Sequence, residues 1–256
     1  MSFTSILKSV LITSACTGTA SQGAEFEARV FRSPDGQTMP YRLFKPHGAS
    51  AGKSLPLVLF LHGAGERGDN NTSPMANGAT LFAEEKNQQR FPCFELIPQC
   101  PSGQQWVDMP WGDDSGKQPK QPSRALQLAL AILDGVEKEF AIDRDRIYVV
   151  GLSMGGFGVW DAISRQPNRF AAGVPICGGG DPAAVRRAAR VPVWAFHSSD
   201  DPVVKVRRSR EMIAAMRAAG GEPRYTEFKK ASHASWVPAL AEPNLLPWLF
   251  AQHRGR

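Results

Sequence analysis

Residues Ile147 to Ile163 restrict the fold more than any other part of the chain. Ile147-Tyr148-Val149-Val150 is a β-branched and aromatic run that reads as a buried strand, and Gly156-Phe157-Gly158-Val159-Trp160-Asp161-Ala162-Ile163 can wind into a helix. Between them stands Gly151-Leu152-Ser153-Met154-Gly155. A G-x-S-x-G at a strand-to-helix turn is the sequence form of a nucleophile elbow. The glycines follow from the chemistry. The serine must sit on a strained turn with its hydroxyl exposed, and side chains two residues to either side would collide with neighbouring backbone. The pattern also arises by chance in Gly- and Ser-containing loops, so its partners elsewhere in the chain must decide its meaning.

The flanking sequence alternates. Phe26 to Phe31 and Pro40 to Phe44 read as an opening antiparallel hairpin around the Ser33-Pro34-Asp35-Gly36 turn. Leu55 to Leu61 is nearly continuous in apolar residues, as in a strand covered on both faces, and ends in the glycine-rich His62-Gly63-Ala64-Gly65-Glu66-Arg67-Gly68. Further strands are read at Cys93–Pro98, Ala171–Ile176, Val191–Phe196 and Arg224–Phe228. Leu126, Leu130, Leu133, Val136 and Phe140 recur at helical spacing; Ser209 to Ala219 and Leu245 to His253 read as two more helices. Strands alternating with helices behind a hairpin predict a mostly parallel sheet with helices on both faces, in one domain spanning residues 25–256.

Composition narrows the function classes. The 256 residues are 42% hydrophobic and 21% charged, which are globular values, with a formal net charge of +6. The basic residues form only short clusters such as Arg207-Arg208 and Lys229-Lys230, without the concentrated patch and interleaved aromatics of a nucleic-acid binder. No apolar run is long enough to span a membrane. Residues 1–24 have the outline of an export signal: Lys8, the short apolar run Ser9 to Ala15, and small residues at Ala20 and Ala24. Localisation is therefore read as secreted or periplasmic, with cytoplasmic the alternative. Beyond Cys16 the cysteines are Cys93, Cys100 and Cys177, an odd number without zinc-ligand spacing. One disulfide with a free thiol, or three buried thiols, both fit.

A serine hydroxyl needs a base, and the base needs a group to orient it. In elbow-type hydrolases the order along the chain is serine, acid, histidine. That order leaves His233 and His253, and His233 stands in a short loop past the last strand, where sites in open α/β sheets collect. The acid follows an intermediate strand in His197-Ser198-Ser199-Asp200-Asp201-Pro202, where either aspartate could serve. Oxyanion donors are expected from the backbone N–H of Met154 and of Ala64, with Gly65 the alternative to Ala64.

Several stretches together resemble one family: Leu61-His62-Gly63-Ala64-Gly65-Glu66-Arg67-Gly68, Pro98-Gln99-Cys100-Pro101, Ile147 to Gly156, Val174-Pro175-Ile176-Cys177-Gly178-Gly179-Gly180-Asp181 and Asp201-Pro202-Val203-Val204. They look like bacterial α/β-hydrolase serine esterases, in the branch of dienelactone hydrolase, polyhydroxybutyrate depolymerase-like proteins and feruloyl esterases. The resemblance runs from about Arg42 to Phe250. It implies the α/β-hydrolase fold, with Ser153 as nucleophile, Asp201 as acid and His233 as base, and no metal or organic cofactor. Two departures flank the acid: Ser198 stands where the family has glycine, and Lys205 where it has proline.

The function read from this pattern is hydrolysis of carboxylic esters through an acyl-enzyme. The expected substrates are acyl, acetyl or feruloyl esters of small or carbohydrate alcohols, or short polyesters, with no nucleic-acid partner. Trp106, Trp111 and Trp236 are candidates for a cleft and equally for core or rim packing. The alternatives are a serine peptidase of the prolyl-oligopeptidase type and a non-catalytic binding protein. The first usually carries a gating domain for which the stretch ahead of the resemblance is too short. The second would show a lost triad member.

Overall fold

The computed structural model describes residues 25–46, 49, 52–112 and 116–255; the 1–24 segment read as an export signal lies outside them. Eight strands form one sheet in the order β1-β2-β4-β3-β5-β6-β7-β8. β1 (Phe26–Arg32) and β2 (Thr38–Phe44) make the predicted hairpin, and β2 joins β4 (Phe94–Pro98) antiparallel. β3 (Leu55–Leu61), β4, β5 (Ile142–Leu152), β6 (Ala172–Ile176), β7 (Trp194–Ser198) and β8 (Arg224–Phe228) run parallel. This is the α/β-hydrolase architecture expected from the sequence.

β3 shows why the central strands read as unbroken apolar runs. All seven of its residues are buried. Leu57, Leu59 and Leu61 pack into the layer carrying α2 (Arg124–Glu139), α3 (Met154–Arg165) and α5 (Arg207–Ala218). Val58 and Phe60 face the opposite layer, with Phe82, α6 (Trp236–Leu240) and α7 (Leu245–Phe250). α2 is capped by Ser123, whose hydroxyl accepts from the Leu126 N–H at 3.1 Å.

Boundaries differ from the sequence reading in explicable places. β7 begins at Trp194 rather than Val191, since Pro192 cannot donate to a ladder. α7 ends at Phe250, short of His253. The short helices α1 (Glu85–Gln88), α4 (Pro182–Val185) and α6 were not read from the sequence, because four or five residues are too few to display a helical period. Cys93, Cys100 and Cys177 are all buried free thiols. Among the described residues no helix is long and apolar enough to cross a membrane.

One buried group works against the fold. Glu95, the second residue of β4, is fully buried, and among the described residues no side chain bonds its carboxyl, toward which the Ala83 N–H is directed. Burial pushes this carboxyl well above its ordinary range, so the folded chain keeps it protonated where the unfolded chain ionises it. The sign follows. Below about pH 4 both states hold the proton; as pH rises beyond that, folding stability falls until the folded-state pKa is reached. Glu95→Met is therefore expected to stabilise the protein by about 1–3 kcal/mol at neutral pH, with a gain that shrinks toward pH 4. Urea midpoints at three pH values would check it; an equal midpoint at all of them would contradict it.

Candidate active site

The elbow forms as the glycine pattern requires. Ser153 sits between β5 and α3 at φ 52° and ψ −117°, a conformation that L-residues rarely adopt. A Cβ on Gly155 would fall 1.8 Å from the Leu61 carbonyl oxygen, and one on Gly151 would fall 2.6 Å from that of Gly155. Only glycine lets β3, β5 and the first turn of α3 approach this closely. The Ser153 N–H is held by the Ile176 carbonyl at 2.9 Å, and that of Phe157 returns to the Ser153 carbonyl at 3.2 Å.

His233 reaches the serine from the loop after β8. The Ser153 hydroxyl lies 2.9 Å from His233 Nε2, and His233 Nδ1 lies 2.8 Å from Asp201 Oδ2. An ionised carboxylate can only accept, so Nδ1 carries the ring proton and Nε2 is free to accept from Ser153. Ser153, Asp201 and His233 thus meet as the sequence order anticipated. His253 lies elsewhere, in a cleft with Arg187, Arg190 and Arg254.

The two aspartates divide the work. Asp201 is buried, and its Oδ1 accepts from the Val203 and Val204 N–H groups at 2.8 and 2.9 Å. Burial alone would raise its carboxyl, but bonds from His197, His233 and those two amides together hold it well below the usual carboxylate range. It is ionised at neutral pH. Asp200 is exposed, and its hydrogen-bond partners among the described residues do not include the imidazole. Its Oδ1 accepts from the Ser198 hydroxyl at 2.5 Å and the Ser232 N–H at 2.9 Å. Ser198 in turn accepts from the Ala231 N–H at 2.9 Å. The serine that departs from the family pattern thus ties the acid loop to the histidine loop.

A fourth polar residue escaped the sequence reading. His197, wholly buried at the end of β7, directs Nε2 to the Val204 carbonyl at 2.9 Å and to Asp201 Oδ2 at 3.2 Å. Both neighbours are acceptors, so Nε2 carries a proton; Nδ1 meets the Ser209 hydroxyl at 2.7 Å. Asp201 is therefore gripped by two histidines. The signal was present: a histidine inside an apolar strand needs a buried partner, and Asp201 stands four residues on.

The expected oxyanion turn lies beside the serine because Leu61 pairs with Gly151 in register. Met154 opens α3, where the first N–H groups have no partner within the helix, and Ala64 opens a short 3₁₀ turn with Gly63 extended ahead of it. Ala64 is half-buried, whereas Gly65 is exposed with open space where a Cβ would stand. His62 clamps the turn. Its Nε2 accepts from the Cys100 N–H at 2.9 Å, which leaves Nδ1–H to donate to the Gly63 carbonyl at 2.6 Å. Burial lowers its pKa to about 4, so it stays neutral. Trp106 is core: fully buried, it donates to the His62 carbonyl at 3.0 Å and stacks edge-on against the imidazole. Trp236, half-buried, stands edge-on to His233 with ring centroids 5.6 Å apart. Among the described residues one group of three side chains could hold a metal ion, and it is Cys177, Asp201 and His233.

Residues 49–242 match the phospholipase/carboxylesterase family. A thermostable esterase of known crystal structure superimposes with a TM-score of 0.84 at 41% identity, over 90% of this chain and 63% of that one. A bifunctional acetylxylan esterase/xylanase of Neocallimastix patriciarum is 35% identical over 85 residues, 33% of this chain and 12% of that protein. Dipeptidyl-peptidase 5 of Porphyromonas gingivalis is 27% identical over 152 residues, 59% of this chain and 21% of that protein. The chain thus spans under two thirds of the length of each of these three relatives. The match covers the elbow, the acid loop, His233 and the turn after β3, and the chain belongs to the phospholipase/carboxylesterase family of α/β-hydrolases.

Proposed function

We propose that the chain hydrolyses carboxylic esters through a covalent acyl-serine. The observation that carries this reading is the unbroken relay from Ser153 Oγ to His233 Nε2 at 2.9 Å and from His233 Nδ1 to Asp201 at 2.8 Å. His233 takes the hydroxyl proton as Ser153 attacks the ester carbonyl, then delivers it to the leaving alcohol. Asp201 holds the imidazole in the required tautomer and offsets its transient charge. The N–H groups of Met154 and Ala64 receive the oxyanion, and Gly65 leaves room beside it. Water, activated by the same imidazole, releases the acid. No step calls for a metal or organic cofactor.

Small acyl, acetyl or feruloyl esters of simple or carbohydrate alcohols, and short polyesters, are the proposed substrates. The likeness to an acetylxylan esterase supports the carbohydrate alcohol. Apolar residues close to the triad in the chain support the acyl side: Trp236 stands edge-on to the base, and Val203 and Val237 are 55% and 62% exposed. Export through residues 1–24 belongs to the same proposal. The likeness to a dipeptidyl peptidase favours a second reading, amide hydrolysis by the same triad.

Rates on an aryl acetate and on an aminoacyl anilide separate the two. The ester is expected to react at least about 100-fold faster in kcat/KM, a difference of roughly 3 kcal/mol in barrier. A preference for the anilide would overturn the esterase reading. A panel of acetylated xylan oligomers, feruloyl esters and short polyesters then ranks the alcohols.

A further inference from the structure

Cys177 follows β6 directly, and nothing in the proposed chemistry employs it. It is fully buried and takes φ 40°, a second strained residue on the strand next to the elbow. Its thiol, the Asp201 carboxylate and a ring nitrogen of His233 all lie within 4.8 Å of one another. Ser235, also fully buried, points its hydroxyl at the sulfur and has no other bonding partner among the described residues. Ser235 thus adds a buried hydroxyl beside the sulfur of a cluster that also holds a carboxylate and an imidazole. Neither ester chemistry nor core packing requires that set.

We infer that Cys177, Asp201 and His233 form a site for a thiophilic divalent cation, with Ser235 or water as fourth ligand, and that occupancy switches the triad off. The donor set is one sulfur, one nitrogen and one oxygen, which suits Zn²⁺ or Cd²⁺ and disfavours Mg²⁺ or Ca²⁺. Tetrahedral bonds of about 2.0–2.3 Å place ligand atoms roughly 3.3–3.8 Å apart, so the cluster must tighten by about 1 Å. His233 has a side chain 20% exposed on a surface loop, and it is the movable member and the point of entry.

The balance is simple. The Cys177 S–H bond breaks, its proton leaves to solvent, and a metal–sulfur bond forms. Burial raises this thiol to about 12, so it is the cation that displaces the proton. If the ion takes His233 Nδ1, the ring proton moves to Nε2, which can no longer accept from Ser153. If it takes Nε2, the lone pair that serves as base is occupied. Either bond removes the general base.

The test titrates the untagged full chain with Cd²⁺, reading the ultraviolet thiolate-to-cadmium charge-transfer band and, in parallel, aryl acetate hydrolysis. Wild type is expected to bind one equivalent with loss of activity, and EDTA to restore it. Cys177→Ala and Cys177→Ser are expected to keep hydrolysis within about threefold while losing the band, the inhibition and more than about 100-fold in Cd²⁺ affinity. A band or inhibition that persists in both folded variants would assign the effect to Cys16, Cys93 or Cys100 and overturn the site. Absence of a band in wild type, or binding that leaves hydrolysis intact, would also overturn it. The inhibition arm rests on the esterase reading, but the spectroscopic arm does not. Ser153→Ala is expected to bind Cd²⁺ as wild type does, so a chain that binds the ion but hydrolyses no ester would fail only the functional proposal.

Discussion

Ser153→Ala is expected to lower kcat/KM on an aryl acetate by about 10⁶-fold and to abolish labelling by a fluorophosphonate probe. The magnitude follows from the roles. Without the hydroxyl no acyl-enzyme forms, and only the oxyanion donors and binding remain, which together give about 10³–10⁴-fold over water. Stability offers an independent check. Alanine keeps the Cβ and hence the strain of φ 52°, so its unfolding midpoint should stay near that of wild type. Ser153→Gly relieves a strain of about 1–3 kcal/mol but adds about 0.5–1 kcal/mol of unfolded-chain entropy, so it should be equally inactive and modestly more stable. Persistent labelling of the alanine variant would mean that the nucleophile is another residue.

The elbow was legible because every constraint on it is local. The close approach of Gly155 to Leu61 forbids a side chain, and a forbidden side chain is visible in sequence. His233 was legible through topology, since the order of strands limits which loops can reach the serine. The acid was not. Asp200 and Asp201 are neighbours with the same chemistry, and their difference lies in direction: one faces Ser232 in solvent and the other His233 and His197 in the interior. Only the twist of the chain after β7 decides that. His197 stayed hidden for a related reason. It precedes the acid along the chain, so a search ordered as serine, acid, histidine passes over it. Trp106 was ambiguous because an aromatic residue in a loop can fill a core or line a cleft, and its bond to the His62 carbonyl shows that it braces the turn after β3 from behind.

That asymmetry between the aspartates yields the second large effect. Asp201→Asn is expected to lower kcat by about 10⁴-fold with little change in KM, whereas Asp200→Asn should stay within a few-fold of wild type. The Asp201 carboxylate accepts on both oxygens: two amides on Oδ1, and two imidazoles, those of His233 and His197, on Oδ2. An asparagine must keep its carbonyl oxygen toward the two amides, which can only donate. Its NH₂ then faces both histidines and turns the acceptor they need into a donor. His233 answers by moving its proton to Nε2, and in that tautomer it cannot take the proton of Ser153. His197 meets the same clash, so the variant should also lose about 1–3 kcal/mol of stability from unmatched buried donors. The unfolding midpoint of His197→Ala provides the cross-check, because with that imidazole gone Asp201→Asn should cost less stability than it does alone. Equal losses of kcat in the Asp200 and Asp201 variants would place the orienting carboxylate elsewhere; a collapse confined to Asp201→Asn fixes it on the residue that two histidines hold.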